Sequence, residues 1–275
     1  MHSSLLSDLS LVQLLIRMAA TAFVVIGVAM AVGRLGPVVG GALAGLPIVL
    51  GPGFFFLVMQ APPGFISHAA IYSLFSLCAT QIFLLAYIGA ADRARPLVSL
   101  LGALAAWGAA TALFRLFPPQ ALVGIALFTV VTAVTRKLGA AFVRGTIKRA
   151  RADNLGLLLL RGILAGLLVA GVTAAANQLG ATASGLLLAF PIGYTVLSIT
   201  IHEQFGAQAA AATLHSAIFG TISLAGFCAV LAIAILYVPE GWAFVLAVTV
   251  SLAITIALIL LSRFGRNART DRSDK

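Results

Sequence analysis

GGALAGLPIVLGPGFFF runs from Gly40 to Phe56, and SGLLLAFPIGYTVLS runs from Ser184 to Ser198. In both, small residues lead into a Pro-Ile pair inside a long apolar run. Proline lacks an N–H, and its ring collides with the carbonyl four residues back. In hydrocarbon a carbonyl freed in this way finds no water. Irregular backbone therefore survives at membrane depth only where protein or a wet cavity surrounds it. A chain that sets the same breaker into two apolar runs has built the same interruption twice.

The runs belong to a membrane protein. Of 275 residues, 61% are hydrophobic and 9% are charged, against roughly 25% charged in soluble domains. Several apolar stretches reach the roughly 18 residues that span a bilayer. The reading gives about nine transmembrane helices, at about 11–32, 38–59, 65–90, 97–114, 120–135, 155–177, 182–201, 208–238 and 242–262. The run after Arg17 ends in a signal-peptide-like Ala29-Met30-Ala31, but no Lys or Arg precedes Arg17, so it reads as a retained first span. The net charge of +10 sits in loops and matches no nucleic-acid-binding motif. Arg34, Arg93, Arg95, the stretch from Arg136 to Arg151, and the tail from Arg263 to Lys275 fall on one side, with only Arg115 on the other. The positive-inside rule makes the basic side cytoplasmic. This predicts the N-terminus out and the C-terminus in. Cys78 and Cys228 lie in apolar runs and form no disulfide framework or metal motif.

Shifting the chain by 144 residues lays Leu11–Gln60 on Leu155–Gln204 without a gap, and 15 of 50 positions are identical. Arg17/Arg161, Gly41/Gly185, Pro47/Pro191 and Gln60/Gln204 are among the matches. After short insertions His68 aligns with His215 and Cys78 with Cys228. The organisation is a first membrane repeat at 1–135 (about five spans), a basic cytoplasmic loop at 136–154, a second repeat at 155–262 (about four spans), and a basic tail at 263–275. An odd span count in the first half inverts the second copy. The fold class is thus an all-α polytopic membrane protein, with two inverted repeats and one Pro-interrupted helix in each.

Inverted repeats with paired Gly/Pro-interrupted spans point to the binding site of a secondary transporter. The candidate substrate-binding residues are Gly45, Pro47 and Gly51 in the first copy, with Pro191, Tyr194, Thr195 and Ser198 in the second. Arg17 and Arg161 lie inside their spans. They either snorkel to headgroups or bind a substrate's negative charge. Gln60, Gln204, His68 and His215 are candidate gating groups, with solvated span ends and interfacial hydrogen bonding as the plain alternatives. No Asp or Glu lies deep in a span, which favours an anionic or neutral solute over a cationic one. His202-Glu203 begins like a zincin motif, but Gly206 stands where the second His belongs. No nucleophile elbow or Walker loop is present. No enzyme, metal or cofactor is expected.

The GGALAGLPI and GLLLAFPI segments resemble uncharacterised bacterial inner-membrane proteins with duplicated small-residue-then-Pro spans. A single copy is similar to the small GlpM-type membrane proteins. The resemblance implies a bacterial cytoplasmic (inner) membrane protein and names no substrate. The expectation is a small permease working by alternating access, with a non-transporting scaffold or accessory subunit as the alternative. The expected partners are the lipid bilayer and an unidentified small solute, with no nucleic acid, and a homo-oligomer is compatible with the reading.

Overall fold

The computed structural model describes residues 50–143 and 180–273, with Val12 and Ala19 as isolated positions. All regular structure among the described residues is α-helical. The order is α1 (Leu50–Gln60), α2 (Pro63–Ala90), α3 (Pro96–Phe114), α4 (Ala121–Ala140), α5 (Gly180–Leu188), α6 (Ile192–Phe205), α7 (Ala207–Ala234) and α8 (Glu240–Ser273). Among the described residues, six stretches are long and apolar enough to cross a membrane, with α5 and α6 together forming one of them, Gly180–Phe205. The protein is therefore a multi-pass α-helical membrane protein. The expected spans at 11–32 and 155–177, and most of the one at 38–59, lie outside the described residues.

Prolines set the helix starts. Pro63 and Pro96 open α2 and α3 at positions where a missing N–H costs nothing. Pro239 immediately precedes α8. Three boundaries differ from the sequence reading. α4 runs on to Ala140 rather than ending near 135. Arg136 and Lys137 are good helix formers, and Arg136 packs its guanidinium on the Phe219 ring. α7 stops at Ala234 rather than 238, where Pro239 biases the residue before it away from helix. α8 continues to Ser273, past the expected end at 262. The interruption at Pro191 is present: α5 ends at Leu188, and α6 restarts at Ile192.

The inner pair is α2 and α7, each 28 residues long. Each is about 42 Å in length, longer than a hydrocarbon core of about 30 Å. They run antiparallel. Ser67, near the start of α2, donates to the carbonyl of Ala232 near the end of α7. Gln81, in the later half of α2, donates to Thr221. Two apolar clusters stack along the pair. One joins Leu74, Phe75 and Cys78 to Phe227, Cys228 and Leu231. The other joins Phe83, Leu84 and Tyr87 to Leu197, Ile201, Leu214 and Ile218. α8 is tied to α7 by hydroxyls, with Ser223 Oγ 2.8 Å from both Ser251 Oγ and Thr255 Oγ1. An aromatic chain links α1, α7 and α8 through Phe54–Phe227 and Phe227–Phe244 at 5.8 and 5.9 Å. α6 passes into α7 through Gly206 alone, at φ 88°. That left-handed conformation suits glycine and little else.

These directions fix which helix ends meet. The α2–α3 link with Arg93 and Arg95 lies at one end of the bundle, with the close of α4, the α6–α7 turn and the close of α8. The α1–α2, α3–α4 and α7–α8 links lie at the other end. The basic residues of the described helices thus gather at one end, and Arg115 stands at the other.

α5 approaches α2 closely enough to exclude a side chain. A Cβ on Gly185 would sit 2.2 Å from the carbonyl oxygen of Ala69 and 2.9 Å from Tyr72 Cβ. At Gly193, in the first turn of α6, the same test meets nothing within 4 Å among the described residues. Gly185→Ala therefore forces two backbones apart. It is expected to destabilise by at least the upper end of the roughly 1–3 kcal/mol seen for overpacking, read as an earlier midpoint in a denaturant titration of the detergent-solubilised protein. Gly193→Ala is expected to match wild type or gain up to about 1 kcal/mol from its lower chain entropy.

Candidate functional site

The last carbonyls of a helix have no intrahelical partner, and Pro191 prevents α5 from continuing to supply them. Locally, Ala189 N–H still reaches the Gly185 carbonyl at 3.3 Å and Phe190 N–H the Leu187 carbonyl at 3.1 Å, and the further partners come from α2. Ser73 Oγ donates to the Gly185 carbonyl at 2.8 Å, Ser76 Oγ to Leu186 at 2.9 Å, and Thr80 Oγ1 to Ala189 at 3.4 Å. Positions 73, 76 and 80 follow the i, i+3, i+7 spacing that lines one helix face. All three side chains are buried. The close approach at Gly185 is what brings the hydroxyls into range. Ser73, Ser76 and Thr80 all lie within about 5 Å of the centre of the 28-residue α2. The break therefore lies near mid-membrane.

Beyond the break the chain turns at Ala189, Phe190 and Pro191, whose φ and ψ are −74° and 50°. Thr195 returns both its N–H and its hydroxyl to the Pro191 carbonyl, each at 2.8 Å. Ser198 donates to the Tyr194 carbonyl. Two of the hydroxyls expected to face a solute are thus spent on their own helix. The Tyr194 hydroxyl is different. It is buried and has no hydrogen-bond partner among the described residues. Facing α6 is α3, where Trp107 packs edge-on to Phe190 with ring centroids 4.8 Å apart. Trp107 Nε1 and Thr111 Oγ1, one turn apart on α3, are likewise buried without a partner. A donor and two hydroxyls thus stand unsatisfied on the two helices that flank the break. Native proteins leave few such groups unpaired.

Gly51 is buried in α1, and Gln60 is the last residue of that helix. Gly45, Pro47, Arg17 and Arg161 lie outside the described residues. Gln204 closes the broken span with its Oε1 unpartnered. Gln60 and Gln204 stand at opposite ends of the bundle, because the helices that follow them run antiparallel. His68 and His215 do not come together. His68 is exposed beside Tyr72. His215 is half-buried, with Nε2 3.1 Å from the Arg136 carbonyl oxygen. No group of three or more metal-ligating side chains occurs among the described residues.

Ser73, Ser76, Thr80, Gln81 and Trp107 escape the sequence reading. The signal was present. Hydroxyls at i, i+3 and i+7 in an apolar span mark a face that meets polar backbone, and a tryptophan well inside a span departs from its usual interfacial belt. Gln81 extends the polar face, donating to Thr132 on α4 at 2.7 Å and to Thr221 on α7 at 2.9 Å. No protein-family model matches the chain, and no curated protein or solved structure matches it.

Hydrogen bonds between transmembrane helices average about 0.6 kcal/mol. Ser73→Ala is expected to cost about that much, because the Gly185 carbonyl keeps the Ala189 N–H, and Ser76→Ala up to about 1.5 kcal/mol through the Leu186 carbonyl left without a donor. The double variant is expected to cost at least the sum. Trp107→Phe removes an N–H that has no partner and keeps the ring on Phe190, so the unfolding midpoint is expected to stay within about 0.5 kcal/mol of wild type.

Proposed function

We propose that this chain is a small secondary transporter or permease, moving a neutral or anionic solute by alternating access at the interrupted helices. The observation that carries the reading is the division of labour at the break. The carbonyls on the α5 side are satisfied by protein, whereas Trp107, Thr111 and Tyr194 on the far side keep polar atoms without partners. A site with unused hydrogen-bonding capacity at mid-membrane is equipped for a polar guest. A helix that is broken only for packing has no use for that capacity.

The inverted-repeat reading draws support from α2 and α7. They are repeat equivalents by sequence, and they pack antiparallel. On this reading Gly41 is the counterpart of Gly185. About nine spans, the bacterial inner membrane, and the N-terminus out with the C-terminus in complete the proposal. Among the described residues, carboxylates stand at helix ends or in links, at Asp92, Glu203, Glu240 and Asp271. This favours a solute that carries no positive charge.

The test needs no knowledge of the solute. In a background with Cys78 and Cys228 replaced by alanine, Gly193→Cys puts a thiol just past the break. Alternating access predicts that an impermeant thiol reagent labels it from either face of oriented vesicles. Labelling from neither face would replace the transporter with the scaffold reading. Reporters fused after Gln60 and after Gln204 are expected on opposite sides of the membrane. Finding them on the same side would remove the inverted repeat and its main support for transport.

A further inference from the structure

A cavity lies away from the break, between α4 and α7. It encloses about 360 Å³ and is lined by Phe128, Thr129, Thr132, Ala133, Arg136, Phe219 and Ile222. That volume is in the roughly 300–1,000 Å³ range of pockets that take small organic ligands. Its walls are apolar in effect. Thr129 returns its hydroxyl to the Ile125 carbonyl at 2.8 Å, and Thr132 to that of Phe128 at 2.7 Å.

Arg136 differs from the rest of the lining. Its guanidinium lies 3.3 Å above the Phe219 ring, and Nη1 makes one long contact, 3.4 Å, to the His215 carbonyl. No carboxylate among the described residues pairs with it. A guanidinium has five N–H donors, so most remain for an anion, and the ring beneath holds the group in place. The cavity opens sideways toward the surrounding lipid. Thr129 and Ala133 are exposed, as are the neighbouring Val130 and Val134. Phe219 is 41% exposed. From Phe128 to Arg136 the groove runs about 12 Å along α4. Its charged end is the end of the bundle where the basic residues gather.

We propose that this groove binds an anionic phospholipid of the leaflet at the basic end. The acyl chain lies between Phe128 and Ile222, and the phosphodiester sits on Arg136. Basic pockets between transmembrane helices are where anionic headgroups are held. The shape and chemistry match an amphiphile with one negative head and an apolar tail. A small polar anion would leave the apolar length of the groove unused.

The purified, delipidated full chain, mixed with equimolar phosphatidylglycerol and phosphatidylcholine of identical acyl chains, is read by native mass spectrometry. Phosphatidylglycerol is expected to be retained at least about fivefold over phosphatidylcholine, the preference one basic residue near the surface supplies. Arg136→Gln is expected to bring that ratio close to one. Ala133→Trp, which fills the groove and keeps Arg136, is expected to lower phosphatidylglycerol retention. Equal retention by wild type, or an unchanged preference in Arg136→Gln, would overturn the proposal. A measurement on the unmodified chain guards against a misfolded variant. Phosphatidylglycerol with a photoreactive acyl chain is expected to cross-link to residues 125–136 and 215–222, and adducts confined to other helices would also overturn it.

Discussion

The structure depends on one exchange of hydrogen bonds. Pro191 ends α5 in the middle of the bilayer, where water cannot satisfy the carbonyls left behind. Ser76 and Thr80 take the place of water at Leu186 and Ala189, and Ser73 adds a second donor to Gly185 beside the Ala189 N–H. The exchange works only because Gly185 lets the two backbones meet, and any side chain there would stand against the Ala69 carbonyl. The break, the glycine and the hydroxyl face are therefore a single device. It lets α5 and α6 end and begin at a depth where neither could do so alone. It also leaves the α3–α6 side of the break with polar atoms that protein does not use.

Around that device the packing is ordinary for a membrane protein. α2 and α7 are the buried pair, and α3, α4 and α8 turn apolar faces such as Leu101, Leu122 and Leu246 outward. Among the described residues, neutral hydrogen bonds tie the inner helices, from Ser67 to a carbonyl, from the Gln81 amide to Thr221, and within the Ser223–Ser251–Thr255 hydroxyl cluster. Small hydroxyls suit a medium in which burying charge is expensive and a neutral donor finds a carbonyl close by.

Much of the fold is legible in the sequence, because hydrophobic length and proline position act locally. α2, α3 and the interrupted span at Pro191 stand where the apolar runs put them, and the helix starts follow Pro63, Pro96 and Pro239. The ends of α4, α7 and α8 are less legible. A terminus is decided by what the last turn touches, such as Arg136 on Phe219, and hydropathy is silent about that. The same limit applies to the site. Pro191 and Tyr194 are found from the repeat, because a breaker and its neighbours are sequence-local. Their partners Ser73, Trp107 and Thr111 come from distant helices, and only the packing reveals them. Thr195 and Ser198 look available in sequence but turn back onto their own backbone, as hydroxyls in apolar helices commonly do.

The hydroxyl ladder also orders events in time. Ser73, Ser76 and Thr80 are separated from their acceptors by 109 to 112 residues of chain. At synthesis rates of about 5–20 residues per second, α2 sits in the membrane for about 5–20 s before α5 exists. During that interval the three hydroxyls lack the acceptors they meet in the folded chain. The first half of the molecule is thus inserted before it can be finished. Its completion is written into the second half, so a ribosome that stalls between Thr80 and Gly185 leaves behind helices that have entered the bilayer without their acceptors.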